Sequence, residues 1–106
     1  MFFHVLLMRF NADVPPGVDR VVESYAERVR RECKGLVHYH YGPNVASRAK
    51  GYDRTIVSAF ESSTAHDDYQ VSPVHQEMKA LMNPLIADIV VSDLEVPRAG
   101  VPGRRD

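Results

Sequence analysis

The stretch Phe2-Phe3-His4-Val5-Leu6-Leu7-Met8-Arg9-Phe10 decides the fold. In an extended chain successive side chains alternate between two faces. One face then carries His4, Leu6, Met8 and Phe10, and the other Phe3, Val5, Leu7 and Arg9. Both faces are mainly apolar, and such a strand is covered on both sides. A chain of 106 residues makes one domain with a modest core. Its own helices suffice for one face of a sheet. The other face is expected to meet a second copy through Phe3, Val5 and Leu7, so a homodimer is the expected assembly.

Outward from this strand, Pro15-Pro16-Gly17 marks a loop. Residues 18–34 then read as a helix. Val18, Val21, Val22, Tyr25, Ala26, Val29 and Cys33 follow the spacing of one apolar stripe. Gly35 stands where a helix end favours a left-handed residue. Residues 36–42 read as a second strand, with Leu36, His38 and His40 on one face and Val37, Tyr39 and Tyr41 on the other. A polar loop leads to a third strand over residues 54–61. Ser62-Ser63-Thr64 offers caps for a short helix ending near Gln70. Another helix, opened by Ser72-Pro73, turns Val74, Met78, Leu81 and Met82 inward and stops at Asn83-Pro84. Residues 86–96 form the last strand. The order β-α-β-β-α-α-β, with right-handed crossovers, predicts an α+β sandwich of ferredoxin-like type over residues 1–97. Residues 98–106, rich in Gly, Pro and Arg, read as a C-terminal tail.

Composition narrows the partners. Charged residues make up 25% of the chain and the net charge is −1, which gives no basic surface for nucleic acid. No apolar run approaches the ~20 residues of a membrane span. The first apolar run lacks a basic leader, so it reads as a strand and not as a signal peptide. The single cysteine, Cys33, cannot form an internal disulfide. A reducing cytoplasm is therefore the expected compartment.

The chemistry concentrates in Asp68-Tyr69-Gln70-Val71-Ser72-Pro73-Val74-His75. Proline suits the first helical position and serine caps it. His75 then falls in the first turn of one helix and Tyr69 at the end of the preceding one. A phenol and an imidazole can thus meet at one pocket. The positive end of the helix favours neutral imidazole, the form a general base requires. The plainer alternative is a capping signal followed by a polar first-turn histidine.

These residues also carry a resemblance. The chain resembles the stress-responsive dimeric α/β-barrel (Dabb) domains from about residue 2 to residue 97. The matching residues are His4-Val5 with Phe10, Gly42-Pro43-Asn44-Val45, Gly51-Tyr52-Asp53, Phe60-Glu61-Ser62, Tyr69 with Pro73 and His75, and Asp93. The resemblance implies a dimeric α/β barrel built from two four-stranded sheets, with a pocket between each sheet and its helices. The family includes plant stress proteins and plant cyclases of linear polyketides. In the cyclases a histidine and a tyrosine matching His75 and Tyr69 carry the chemistry, with the histidine matching His4 nearby. A third-strand histidine of those cyclases is replaced here by Arg54. Two pocket phenylalanines are replaced by Val21 and Val22, while Tyr25 is retained.

The leading expectation is a cofactor-free enzyme of the polyketide cyclase or lyase type. His75 would remove a proton next to a carbonyl, and Tyr69 would stabilise the enolate oxygen. His4, Leu6, Met8, Tyr25, Arg54 and Met78 are the candidates for binding a carbonyl or polyketide-like substrate. The alternatives are a non-catalytic stress-responsive ligand-binding dimer and a cofactor-independent oxygenase. Several residues also carry plainer readings. His4 either lines the pocket or makes a structural hydrogen bond at the sheet. Arg54 either holds an anionic group or pairs with a surface acid, and Tyr25 either touches ligand or fills the core. His38 and His40 share a strand face but lack a third ligand nearby, so no metal site is expected.

Overall fold

The computed structural model describes residues 1–97. The expected tail, residues 98–106, lies outside the described residues. The elements are β1 (Phe2–Phe10), α1 (Val18–Glu32), β2 (Leu36–Pro43), β3 (Arg54–Phe60), α2 (Ser63–Gln70), α3 (Pro73–Met82), a 3-10 turn (Asn83–Leu85) and β4 (Ile86–Glu95). The strands form one antiparallel sheet in the order β2-β3-β1-β4. The most apolar strand, β1, thus lies between β3 and β4.

The helices pack on one face. From α1 they bury Val18, Val22, Ala26 and Val29, and from α3 Val74, Met78 and Met82. These meet Met8, Phe10, Tyr39, Ile56 and Phe60 of the sheet in one core. The stripe on α1 is narrower than its spacing predicts. Val21 is 44% exposed, Tyr25 packs at the rim of the core, and Cys33 already has an extended backbone. Gly35 has φ 76°. A Cβ on it would lie 2.7 Å from the Ala65 Cβ, so glycine is required there for close approach as well as for backbone conformation.

Two expectations are corrected. The sheet is not closed into a barrel: β2 and β4 are its edges and do not pair with each other. What the chain forms is an open ferredoxin-like α+β sandwich. Four strands joined by helical crossovers on one face make a twisted open layer, whereas closed barrels need about eight strands to enclose a filled interior. The second correction lies in β2. A bulge between Leu36 and His38 places Leu36 opposite Phe60 and Tyr39 opposite Ser58. One extra residue reverses the alternation. Leu36 therefore shares the helix-covered face with Tyr39 and Tyr41, while His38 and His40 turn to the open face.

That open face carries Phe3, Val5 and Leu7 of β1 beside Val57 of β3 and Val90 and Leu94 of β4. Val57 is 43% exposed, Val90 44% and Leu94 60%, so this face presents apolar side chains to its surroundings. Among the described residues no helix is long and apolar enough to cross a membrane.

Candidate active site between the sheet and the second and third helices

The site begins with the break between α2 and α3. Ser72 caps α3: its Oγ accepts from the His75 N–H at 3.3 Å and donates to the Tyr69 carbonyl at 2.7 Å. Pro73 occupies the first turn, where its missing N–H costs nothing. The carbonyl of Gln70, the last residue of α2, accepts from His75 Nδ1 at 2.9 Å and from Gln76 Nε2 at 2.9 Å. A carbonyl can only accept, so the proton of neutral His75 sits on Nδ1. Nε2 then keeps its lone pair, with no protein partner among the described residues. Burial holds the His75 pKa below the ordinary 6.5, and the charge of Lys79 adds to the effect. The imidazole is thus neutral at pH 7, and the main cause is burial.

Tyr69 is buried, with its ring centroid 4.5 Å from that of His75. Its hydroxyl lies 2.9 Å from the Tyr39 hydroxyl, which also reaches Met78 Sδ at 3.5 Å. Burial pushes the Tyr39 pKa up to about 12 and that of Tyr69 well above the ordinary phenol value. Both remain neutral phenols, able to donate a hydrogen bond.

His4 is 5% exposed. It stands opposite Asp93 in the β1–β4 register, and its Nδ1 lies 2.5 Å from Asp93 Oδ1. His66 of α2, also buried, lies against His4 with centroids 4.5 Å apart and the rings tilted by 48°. Its Nε2 is 2.9 Å from the side-chain amide nitrogen of Gln70. Burial, helped by His4, lowers the His66 pKa.

A cavity of about 280 Å³ lies against these groups. His75, Tyr69, His4, Leu6, Met8 and Met78 all line it, together with Tyr39, Lys79 and Asp93. Tyr25 and Arg54 are not among the residues that line it. Tyr25 lies under the Arg28 guanidinium, 5.7 Å from its ring centre. Arg54 is held by Asp19 through two hydrogen bonds of 2.7 and 3.1 Å. The Tyr41 hydroxyl donates to the same carboxylate at 2.6 Å, and Arg54 with Tyr41 holds the Asp19 pKa below the usual carboxylate value. The sequence left open which face of β2 meets the helices, so Tyr39 was not among its candidates. It also missed His66, although His66 and Tyr69 are three residues apart and so share one side of a helix. His38 and His40 lie on the open face with ring centroids 5.6 Å apart, away from the cavity.

The fold and the cavity define a ferredoxin-like α+β protein with an internal pocket between sheet and helices. Residues 2–96 match the sequence profile of the Stress responsive A/B Barrel Domain, and the chain belongs to that family. No curated protein matches its sequence. Among solved structures it is similar to a dimeric ferredoxin-like protein of unknown function from Thermobifida fusca, at 24% identity over 90% of each chain with a TM-score of 0.78. An Arabidopsis thaliana protein shares 26% identity over 92% of this chain and 96% of that one, with a TM-score of 0.77. The hydroxynitrile lyase of Passiflora edulis shares the fold at 16% identity, covering 91% of this chain and 93% of the other, with a TM-score of 0.79.

Proposed function

We propose that this protein is a small-molecule enzyme of the cyclase or lyase type, in which His75 is the base and Tyr69 the hydrogen-bond donor to oxygen. One observation carries the reading: the Gln70 carbonyl fixes the proton on His75 Nδ1, while the ring also lines the cavity beside Tyr69. Nε2 takes a proton from the carbon next to a substrate carbonyl. The C–H electrons form the enolate, whose oxygen accepts a hydrogen bond from the Tyr69 hydroxyl. That enolate carbon attacks a second carbonyl of the same folded chain, forming a C–C bond. The new alkoxide recovers the proton from the imidazolium. The sequence is an isomerisation and needs no oxidant, and holding both carbonyls in one cavity supplies the proximity. His4, Leu6, Met8 and Met78 shape the substrate space.

The same base also suits the cleavage of a hydroxynitrile, in which the hydroxyl proton leaves as the carbon–carbon bond to cyanide breaks. The fold shared with the Passiflora enzyme makes this the second probe. The experiment follows hydrogen–deuterium exchange at the central carbon of a linear 1,3-diketone by NMR, and aldehyde release from a hydroxynitrile by absorbance. Acceleration of either by the native protein, lost in His75→Ala, supports the reading. No acceleration of any carbonyl or hydroxynitrile probe that binds the cavity would overturn it.

We further propose that the protein works as a homodimer joined through the open sheet face, as the apolar Phe3, Val5, Leu7 and Val90 there suggest. The Thermobifida relative is described as dimeric. Sedimentation should give twice the chain mass. Val5→Asp should shift the species to monomer, since an unpaired charge in an apolar interface is strongly unfavourable. A wild-type monomer would end this part of the proposal.

A further inference from the structure

We propose that His4, His66 and Asp93 form a binding site for one divalent transition-metal cation of the zinc class. The three come from different elements, β1, α2 and β4, and the fold brings one ligand atom of each within 4.8 Å of the others. His4 is 5% and His66 7% exposed, so two imidazoles share a desolvated place with one carboxylate. Their ring centroids lie 4.5 Å apart with the planes tilted by 48°.

The donor set selects the ion. Two imidazoles and one carboxylate suit zinc and its neighbours, whereas magnesium and calcium favour oxygen ligands. Zinc bonds of about 2.0–2.2 Å in tetrahedral geometry set ligand atoms roughly 3.4 Å apart, so the His4–Asp93 contact of 2.5 Å opens to admit the ion. The Asp93 side chain, 42% exposed, has room to make that adjustment. His66 Nε2 also has an outer partner in the Gln70 amide at 2.9 Å. Turned with its oxygen toward the ring, that amide accepts the imidazole N–H and fixes which nitrogen keeps its lone pair. Metal-bound histidines are commonly held by this kind of contact. His4 and Asp93 also line the cavity, so water or an anionic group from the cavity completes the coordination. The exposed His38–His40 pair has no such setting.

The site uses neither His75 nor Tyr69, and its test reads binding without turnover. The full-length protein, stripped with a chelator, is titrated with cobalt(II) and followed by visible absorption. The expected result is one cation per chain with the intense bands of a four- or five-coordinate centre, bleached by zinc. His66→Phe keeps a ring in the stack and removes both nitrogens, and Asp93→Asn keeps the side-chain shape. Each should weaken binding by roughly tenfold or more, at least the loss caused by removing an outer-shell partner. The double variant His38→Ala/His40→Ala should bind as the wild type does. Absence of the bands at micromolar wild-type protein would overturn the proposal without reference to any variant. So would full binding by folded His66→Phe and Asp93→Asn, or loss of binding in the His38/His40 variant.

Discussion

Two hollows of similar size teach different things. The cavity between the sheet and the α2–α3 helices measures about 280 Å³ and the groove beside Asp19, Tyr41 and Arg54 about 310 Å³. In the groove every strong group is answered: Arg54 donates twice to Asp19, and Tyr41 donates to the same carboxylate. In the cavity the protein arranges its groups and leaves capacity unused. His75 is tied at Nδ1 and, among the described residues, has no partner at Nε2, and the two phenols share a single hydrogen bond between their oxygens. Volume does not separate a site from a surface recess here; unused hydrogen-bonding capacity beside a tautomer-fixing contact does.

The largest expected effect tests this contrast at the imidazole. His75→Ala should slow diketone exchange or hydroxynitrile cleavage by roughly 10²–10⁴-fold, the usual worth of a positioned base, with the fold retained. Turnover within about threefold of wild type, a barrier change below 1 kcal/mol, would remove His75 from the mechanism and leave the cavity as a binding pocket. Next come the phenols. Tyr69→Phe keeps the ring and should cost about 10²–10³ in rate, the worth of one donor to a developing oxyanion. Tyr39→Phe should cost less, because its hydroxyl is already engaged with Tyr69 and Met78 Sδ. Steady-state rates and ligand affinity for both variants decide the order, and a reversed order would make Tyr39 the donor.

A smaller effect follows from pH. The folded pKa of His75 is below the ordinary 6.5, so the base stays active at pH 7 and the rate should fall with a midpoint below pH 6.5. Stability has a definite sign as well. His66 and His75 both have lowered pKa values in the folded state, so the unfolded chain binds more protons in the window just below pH 6.5. Stability then drops as pH falls through 6.5, and the loss from these groups levels off once the folded pKa values are passed. Thermal melts across that range should show the drop, with a shallower slope in His75→Ala. An unchanged slope would mean that the imidazole is more solvated than its contacts imply.

Local signals were strong enough to read much of this in the sequence. The two-faced apolar strand, the Ser-Pro start of α3 and the stripe of α1 each rest on neighbours a few residues apart. What stayed hidden depends on distant pairing. The bulge at Val37 puts Leu36 on the face of Tyr39 and Tyr41, and the fold brings Tyr39 onto Tyr69; no pattern within residues 36–43 declares either. The His4–Asp93 contact spans 89 positions and depends on the β1–β4 register. The acid that pairs with Arg54 stayed hidden for the same reason: Asp19 sits on α1, 35 residues away. Closure into a barrel was expected from the uncovered sheet face and from the resemblance, and the order β2-β3-β1-β4 leaves both edges open.

The smallest expected effect lies in the groove, and it is the sharpest control. Arg54 is joined to Asp19 by a bidentate pair, but the Asp19 side chain is 55% exposed, so solvent screens much of the attraction. Pairs of this kind contribute about 0–1 kcal/mol. The Arg54 guanidinium also lies 5.4 Å from the centre of the Phe10 ring, which adds packing that a truncation removes. Arg54→Ala should therefore lower stability by about 1 kcal/mol or slightly more, measured by urea denaturation. It should leave diketone exchange, hydroxynitrile cleavage and ligand affinity unchanged. Arg54→Lys should recover part of the stability, because a point charge still meets Asp19 while the fork is lost. If Arg54→Ala instead lowers the rate tenfold with stability intact, the groove communicates with the reacting groups. Satisfied charge would then be no guide to which of the two hollows does the chemistry.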